Sequence, residues 1–189
     1  MKLRDTQDRW GAVTQWLHWS VAGLIFALIA IGWFMRLAPL SPEKITLFYW
    51  HKSLGMLVLA LVLTRLGWRA GNRPPALPEG LPRWEAPLAR ATHVALYLLI
   101  LLMPISGWLI NSASGIPFKI FCTIPLPAIA PVSASLEHAF SLLHLAGFSA
   151  LAALLIGHVA AALRHHFLLH NAIFVRMLPR FRRRPPSWK

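Results

Sequence analysis

The stretch LHLAGFSALAALLIGHVAA (143–161) places two histidines, His144 and His158, at either end of a run in which Ser149 is the single polar side chain between them. A bilayer core is about 30 Å thick and takes roughly 20 apolar residues to cross as a helix. With its flanks this run, about residues 139–163, is long enough. Fourteen residues at about 100° and 1.5 Å each return to within about 40° of the same face and rise about 21 Å. One helix face therefore offers an imidazole near each membrane surface. A single metal ion cannot join groups so far apart, and a proton relay would want intermediate polar groups. The spacing points to two separate cofactors.

Three further stretches qualify as spans, at about 14–35, 48–68 and 92–110. The composition agrees: 57% of the 189 residues are hydrophobic and 13% charged, whereas a soluble domain is about a quarter charged. The formal net charge of +13, from 19 Lys and Arg against 6 Asp and Glu, raises nucleic-acid binding. That class is excluded by placement, because the basic residues fall in gaps between apolar runs rather than along one polar face. The longest polar gap, Ala70 to Arg90, is a Pro-rich connector without apolar periodicity of its own. The expectation is an all-α integral membrane protein, a four-transmembrane-helix bundle forming one domain over 1–189, with lipid as its surroundings. The basic segment Met1 to Arg9 precedes an apolar run too long for a signal-peptide core and without a small-residue cleavage site, so that run is expected to stay as the first helix. Cys122 is the one cysteine, which excludes an intrachain disulfide and a Cys-x-x-Cys-His attachment; any haem here is not c-type.

Orientation follows from Lys and Arg in the gaps, since cytoplasmic segments carry the excess. Lys2, Arg4 and Arg9 precede the first span, and Arg65, Arg69, Arg73, Arg83 and Arg90 lie in and beside the second connector. The tail adds Arg164, Arg176, Arg180, Arg182, Arg183, Arg184 and Lys189, while the first and third connectors with their flanks hold only Arg36, Lys44, Lys52 and Lys119. Both termini are expected to be cytoplasmic. The third connector, Asn111 to His138, is apolar and carries Pro117, Pro125, Pro127 and Pro131; it is expected to lie on the outer surface rather than to cross.

Five of the nine histidines fall within spans, where ionisable groups are expensive and usually functional. On this topology His51 and His144 lie toward the outside and His18, His93 and His158 toward the cytoplasm. Neutral imidazole suits iron, and Ala22, Gly55, Gly147 and Ala162, about a turn from histidines, leave clearance for a flat macrocycle. The competing reading, that each His merely hydrogen-bonds another helix or snorkels, does not account for matched depths and the fourteen-residue pair. His51 pairs with His144; His158 can face either His18 or His93. His138 is turned about 200° from His158 and reads as interfacial. His165, His166 and His170 read as solvated or facing headgroups. Trp10, Trp33, Trp50, Trp68 and Trp108 read as interfacial anchors, and for Trp16 and Trp19, which flank His18, anchoring and cofactor contact both stay open.

The segments Gln-Trp-Leu-His-Trp (15–19), His-Lys-Ser-Leu-Gly (51–55), Leu-Thr-Arg-Leu-Gly-Trp-Arg (63–69), His-Val-Ala-Leu-Tyr (93–97), Met-Pro-Ile-Ser-Gly (103–107), Gly-His-Val-Ala-Ala-Ala-Leu-Arg-His-His-Phe (157–167) and Arg-Met-Leu-Pro-Arg (176–180) together resemble the bacterial cytochrome b561 family over nearly the whole chain. The resemblance implies a four-helix cytochrome of the bacterial inner membrane with two non-covalent b haems, one member type passing electrons from periplasmic superoxide to ubiquinone. It assigns His51 and His144 to the outer haem iron, and His18 and His158 to the inner one. His93 is then expected to hydrogen-bond a haem propionate or the quinone. The long apolar third connector and the extended basic tail depart from the smaller members.

These readings converge on a quinone-linked oxidoreductase moving electrons between a periplasmic donor, such as superoxide or a periplasmic redox protein, and ubiquinone. Lys52, beside His51 on a cationic outer face, is the candidate for drawing in an anionic donor. A subunit serving a hydrogenase or a periplasmic redox partner is the alternative of the same chemistry, and a haem-free transporter or metal-binding membrane protein the alternative of another class. Because His144 and His158 serve different sites, His144→Ala should remove one haem and largely spare the other in a haem quantification. Retention of both would overturn the two-site assignment.

Overall fold

Four long helices, a two-stranded hairpin and one short helix make up the computed structural model, which describes residues 2–72, 74–76 and 82–179. In chain order they are α1 (Ala12–Leu37), α2 (Pro42–Ala70), α3 (Glu85–Ala113), β1 (Phe118–Ile120), β2 (Ile124–Leu126), α4 (Ala134–Phe167) and α5 (Ile173–Met177). The four long helices are all long and apolar enough to cross a membrane. Each contains one expected span and overruns it at both ends, because hydrogen bonding continues to polar caps beyond the apolar run. Ser41 Oγ accepts from the Lys44 N–H at 3.3 Å ahead of Pro42, and Ser133 Oγ from the Leu136 N–H at 3.4 Å, with Glu43 and Glu137 in the first turns. Those residue types suit orphan N–H groups and the positive end of the helix dipole. Of the basic residues that set the expected orientation, Arg73, Arg180, Arg182, Arg183, Arg184 and Lys189 lie outside the described residues.

The helices pack in two pairs, α1 along α2 and α3 along α4, joined by contact of α2 with α3. Among the described residues the backbone of α4 makes no comparable approach to α1 or α2. The buried core is small: Val21 and Ile25 of α1 meet Val58 and Val62 of α2, with Tyr97, Leu101 and Leu155 partly buried against them. Large apolar side chains such as Trp33, Phe34, Leu98, Leu102 and Ile156 point outward instead. In water so much exposed apolar surface would drive association; in lipid it is the solvated face, and helices associate by close packing rather than by the hydrophobic effect.

At one end the third connector folds back on α2 and α3. The helix α3 runs past the expected boundary at Asn111, because the side chains of Asn111 and Ser112 are used internally: Asn111 Nδ2 donates to Ile116 O at 3.2 Å, and Ser112 Oγ donates to Trp108 O at 2.9 Å while accepting from the Ile129 N–H at 3.1 Å. The strands β1 and β2 pair antiparallel, with Phe118 opposite Leu126 and Lys119 opposite Pro125. A two-stranded ribbon tolerates a proline, which needs only to face away from the ladder. The turn holds Phe121 and Cys122 at φ 48° and 59°, and the Phe121 N–H donates to the fully buried Ser53 hydroxyl of α2 at 3.2 Å.

At the opposite end the tail straps the start of α1. Gln15 Nε2 donates to Arg176 O at 3.0 Å, Trp19 Nε1 to Met177 O at 2.9 Å, and Arg176 Nη1 to Ala76 O at 2.7 Å. His165, expected to be solvated, is tucked in at 12% exposure, with Nδ1 2.7 Å from Asn171 Nδ2 and Nε2 3.6 Å from Glu85 Oε2. The reason is Glu85, a buried carboxylate on α3 that also takes Arg164 Nη1 at 3.0 Å. His166 packs against Phe167 and Phe174, whereas His170 and His138 are exposed.

Val62, 1% exposed, tests the packing argument. Val62→Ala should cost about 1–2 kcal/mol through the cavity left, lowering the thermal midpoint in detergent by several degrees. Leu63→Ala, on the lipid face, should shift it far less. Equal shifts would mean that the α1–α2 contact does not hold the bundle together.

Candidate functional site

Across the gap between the helix pairs, the histidines reach one another although the backbones do not. The rings of His51 on α2 and His144 on α4 have centres 6.4 Å apart and planes at 69°, and those of His18 on α1 and His158 on α4 have centres 6.4 Å apart and planes at 63°. A metal bonded to two imidazole nitrogens at about 2.0 Å, with each ring centre about 1.1 Å further, separates the centres by about 6.2 Å. Both pairs meet that separation. His93 on α3 lies closer to His158, at 5.5 Å between centres, which is too short for an intervening metal in the same geometry.

A fourteen-residue rule organises the site. His144 and His158 are fourteen apart on α4, and so are His18 and Gly32 on α1, His51 and Arg65 on α2, and His93 and Gly107 on α3. Each helix therefore presents two positions on nearly one face, about 21 Å apart along its axis. The level nearer the hairpin carries Gly32, His51, Gly107 and His144; the level nearer the tail carries His18, Arg65, His93 and His158. At the hairpin level the glycines make room for rings. A Cβ on Gly32 would stand 3.4 Å from His51 Cε1, and one on Gly107 3.7 Å from His144 Cε1. A Cβ on Gly55 meets nothing within 4 Å, whereas one on Gly147 would stand 3.0 Å from Met103 Sδ. Gly55 thus borders open space, and Gly147 serves helix packing.

Hydrogen bonds also fix the ring of His144. The Ser106 hydroxyl donates to Met103 O at 2.8 Å, so its oxygen is left to accept from His144 Nδ1, also at 2.8 Å. The proton then sits on Nδ1, and the Nε2 lone pair is free to bind a metal. At the tail level His18 Nδ1 is buried without a hydrogen-bond partner among the described residues, an expensive state in a low-dielectric interior. Arg65, at the same level by the fourteen-residue spacing, has its guanidinium 5.3 Å from the Tyr97 ring centre. Groups of three or more His, Cys, Asp or Glu able to hold a bare ion are absent among the described residues. Paired imidazoles without carboxylate or thiolate fit a haem iron, which they would hold while the porphyrin supplied the remaining ligands.

Lys52 is anchored at the hairpin end, its Nζ donating to Asn111 Oδ1 at 2.8 Å and lying 5.6 Å from the Phe118 ring centre. Trp19 stands edge-on to His18 at 5.1 Å between ring centres, whereas Trp16 is 64% exposed on the outer surface of α1. Ser106, Gly32, Gly107 and Arg65 escaped the sequence reading as site residues. The repeated spacing of fourteen was the signal that could have found the last three, because each shares a face with a histidine or with its counterpart level. Ser106 had no such signal.

The family described as prokaryotic cytochrome b561 matches residues 9–180. The chain is 33% identical over 187 residues to cytochrome b561 homolog 2 of Escherichia coli (strain K12), covering 94% of this chain and 95% of the relative. It is 25% identical over 182 residues to cytochrome b561 homolog 1 of the same organism, with 92% and 98% covered. A probable superoxide oxidase CybB of Yersinia pestis is 29% identical over 171 residues, with 88% and 93% covered. The chain belongs to the prokaryotic cytochrome b561 family: it is a multi-pass protein of the bacterial inner membrane and a b-type cytochrome that works by electron transfer.

The ring separations distinguish the two candidate partners of His158. His18→Ala and His158→Ala should each lose one haem, while His93→Ala keeps the wild-type content by quantification of extracted haem. A His93→Ala protein that loses a haem which His18→Ala retains would exchange the two roles.

Proposed function

We propose that this member of the prokaryotic cytochrome b561 family holds two b haems, one between His51 and His144 and one between His18 and His158, and carries electrons from a periplasmic donor to ubiquinone. The hairpin end is then periplasmic, and both termini are cytoplasmic. The observation that carries this reading is the pair of facing histidine couples, set fourteen residues apart on α4 and each at 6.4 Å between ring centres. When bound, the two haems supply reversible one-electron chemistry.

The chain's own residues do the rest. Helix rise spaces the two couples at opposite depths, and the apolar walls between them, Leu151 and Leu155 of α4 among others, keep water away. Ser106 orients His144 by accepting a hydrogen bond from its Nδ1–H. His93, whose ring centre is 5.5 Å from that of His158, would hydrogen-bond a propionate or the quinone head.

The donor is superoxide. One relative bears the name of a probable superoxide oxidase, and the hairpin face carries Arg36, Lys44, Lys52 and Lys119 against Glu43 and Glu137. Such an excess raises the encounter rate of an anion. Lys52 follows His51 in sequence and its Nζ is held by Asn111, which supports it as the cation that meets the anion. Two superoxide anions would each give up one electron and leave as dioxygen, and ubiquinone would take both electrons with two protons to become ubiquinol. Purified protein given enzymatically generated superoxide and a soluble ubiquinone should form quinol at half the superoxide consumed. Quinol formed only when a hydrogenase or a periplasmic redox protein is added would favour the role of an electron-transfer subunit.

Surface charge acts through a field that salt screens over about 10 Å at 0.1 M. Lys52→Gln should slow superoxide-driven haem reduction several-fold and flatten its dependence on ionic strength, with haem content and the rate with a neutral reductant unchanged, and Lys52→Arg should restore the rate. A superoxide rate indifferent to both salt and Lys52 would leave a protein partner or the quinol itself as donor.

A further inference from the structure

Two arginines stand at the tail level without a matching acid. Arg65 and Arg69 of α2 are four residues apart on one face, and both guanidiniums lie over the Tyr97 ring, at 5.3 and 5.8 Å from its centre. Arg65 is half-buried, and by the fourteen-residue spacing from His51 it is the residue that α2 contributes to this level. The one carboxylate in an ion pair among the described residues, Glu85, is taken by Arg164 and His165. No described acid pairs with Arg65 or Arg69.

A half-buried cation such as Arg65 in the low-dielectric part of a bundle is stable only with a compensating anion or a route to water, and Arg69, exposed one turn further on, adds a second charge beside it. Tyr97 offers a ring face, which attracts a cation weakly and carries no charge. The aim of two planar, donor-rich groups at one level calls for carboxylates, which guanidinium binds in two-pronged fashion.

We infer that Arg65 and Arg69 bind the two propionate carboxylates of the haem held by His18 and His158, one guanidinium to each, with Tyr97 backing both. The inference rests on the two-haem reading above. It gives α2 a distinct duty at each level: an axial ligand near the hairpin and anchoring cations near the tail. The two couples then differ electrically, because two guanidiniums neutralise the propionates at the tail level. At the hairpin level Lys52, next in sequence to His51, is already bonded to Asn111. A haem whose propionates are neutralised holds an added electron more readily, so the tail-end haem is the better acceptor of the two. That ordering favours electron flow toward the tail side.

The test is a potentiometric titration of purified protein in nanodiscs, with the tail-end haem identified as the one lost in His18→Ala. Arg65→Gln and Arg69→Gln should each leave the hairpin-end haem unchanged. Each should weaken reduction of the tail-end haem about tenfold, equivalent to about 59 mV for one electron. Arg65→Lys, which keeps charge but loses the planar fork, should shift it by less. If Arg65→Gln fails to retain the tail-end haem while keeping the other, the anchoring role is borne out by haem content. Two haems with both potentials unmoved in all three variants would overturn the inference and leave the two-haem reading standing. A wild-type protein with fewer than two haems would overturn that reading itself. The titration is run in zwitterionic and in anionic lipid. A shift seen only in anionic lipid would assign the arginines to phosphate headgroups instead, and the inference would fall.

Discussion

An imidazole carried into hydrocarbon has to be partnered, and the architecture of this chain follows from how it meets that requirement. Four of its histidines face one another in couples across a gap that the helix backbones leave open. Were α4 packed on α1 and α2 as tightly as on α3, the rings would clash. Were it further away, four imidazoles would sit unpartnered in the bilayer at several kcal/mol each. The small protein core, confined to one α1–α2 cluster, is the other side of the same arrangement. A bundle built round large groups has less side-chain core to bury.

The two ends are finished differently. Near the hairpin, glycines on α1 and α3 lie against the rings of the couple, and a hydroxyl sets the tautomer of His144. Polar side chains there, Asn111, Ser112 and Ser53, spend their hydrogen bonds on folding the third connector back over α2 and α3. Near the tail His93 stands beside His158 and Arg65 lies over Tyr97, and the strap formed by Gln15, Trp19 and Arg176 closes the start of α1. One end is lined by small residues and the other by hydrogen-bond donors. Such asymmetry suits a chain proposed to pass electrons one way between an anion and a quinone.

Length and hydropathy alone determined that four helices cross a membrane, because hydrocarbon admits only segments that satisfy their own backbone. The fourteen-residue interval between His144 and His158 fixed two levels, since helix rise and twist follow from local geometry with no knowledge of neighbours. Spacing alone left open whether His18 or His93 faces His158, and only the family resemblance chose His18, because a helix's rotation and its distance from a partner are settled by packing; in the bundle the ring centres stand 6.4 Å and 5.5 Å from that of His158. The same holds for Gly32 and Gly107, whose ring contacts lie on other helices, for the hairpin, whose non-glycine turn at Phe121 and Cys122 is held by a hydroxyl nearly seventy residues away, and for His165, drawn out of water by a carboxylate on α3. Contacts between residues distant in the chain depend on how the helices are turned toward one another, and no local pattern encodes that turn.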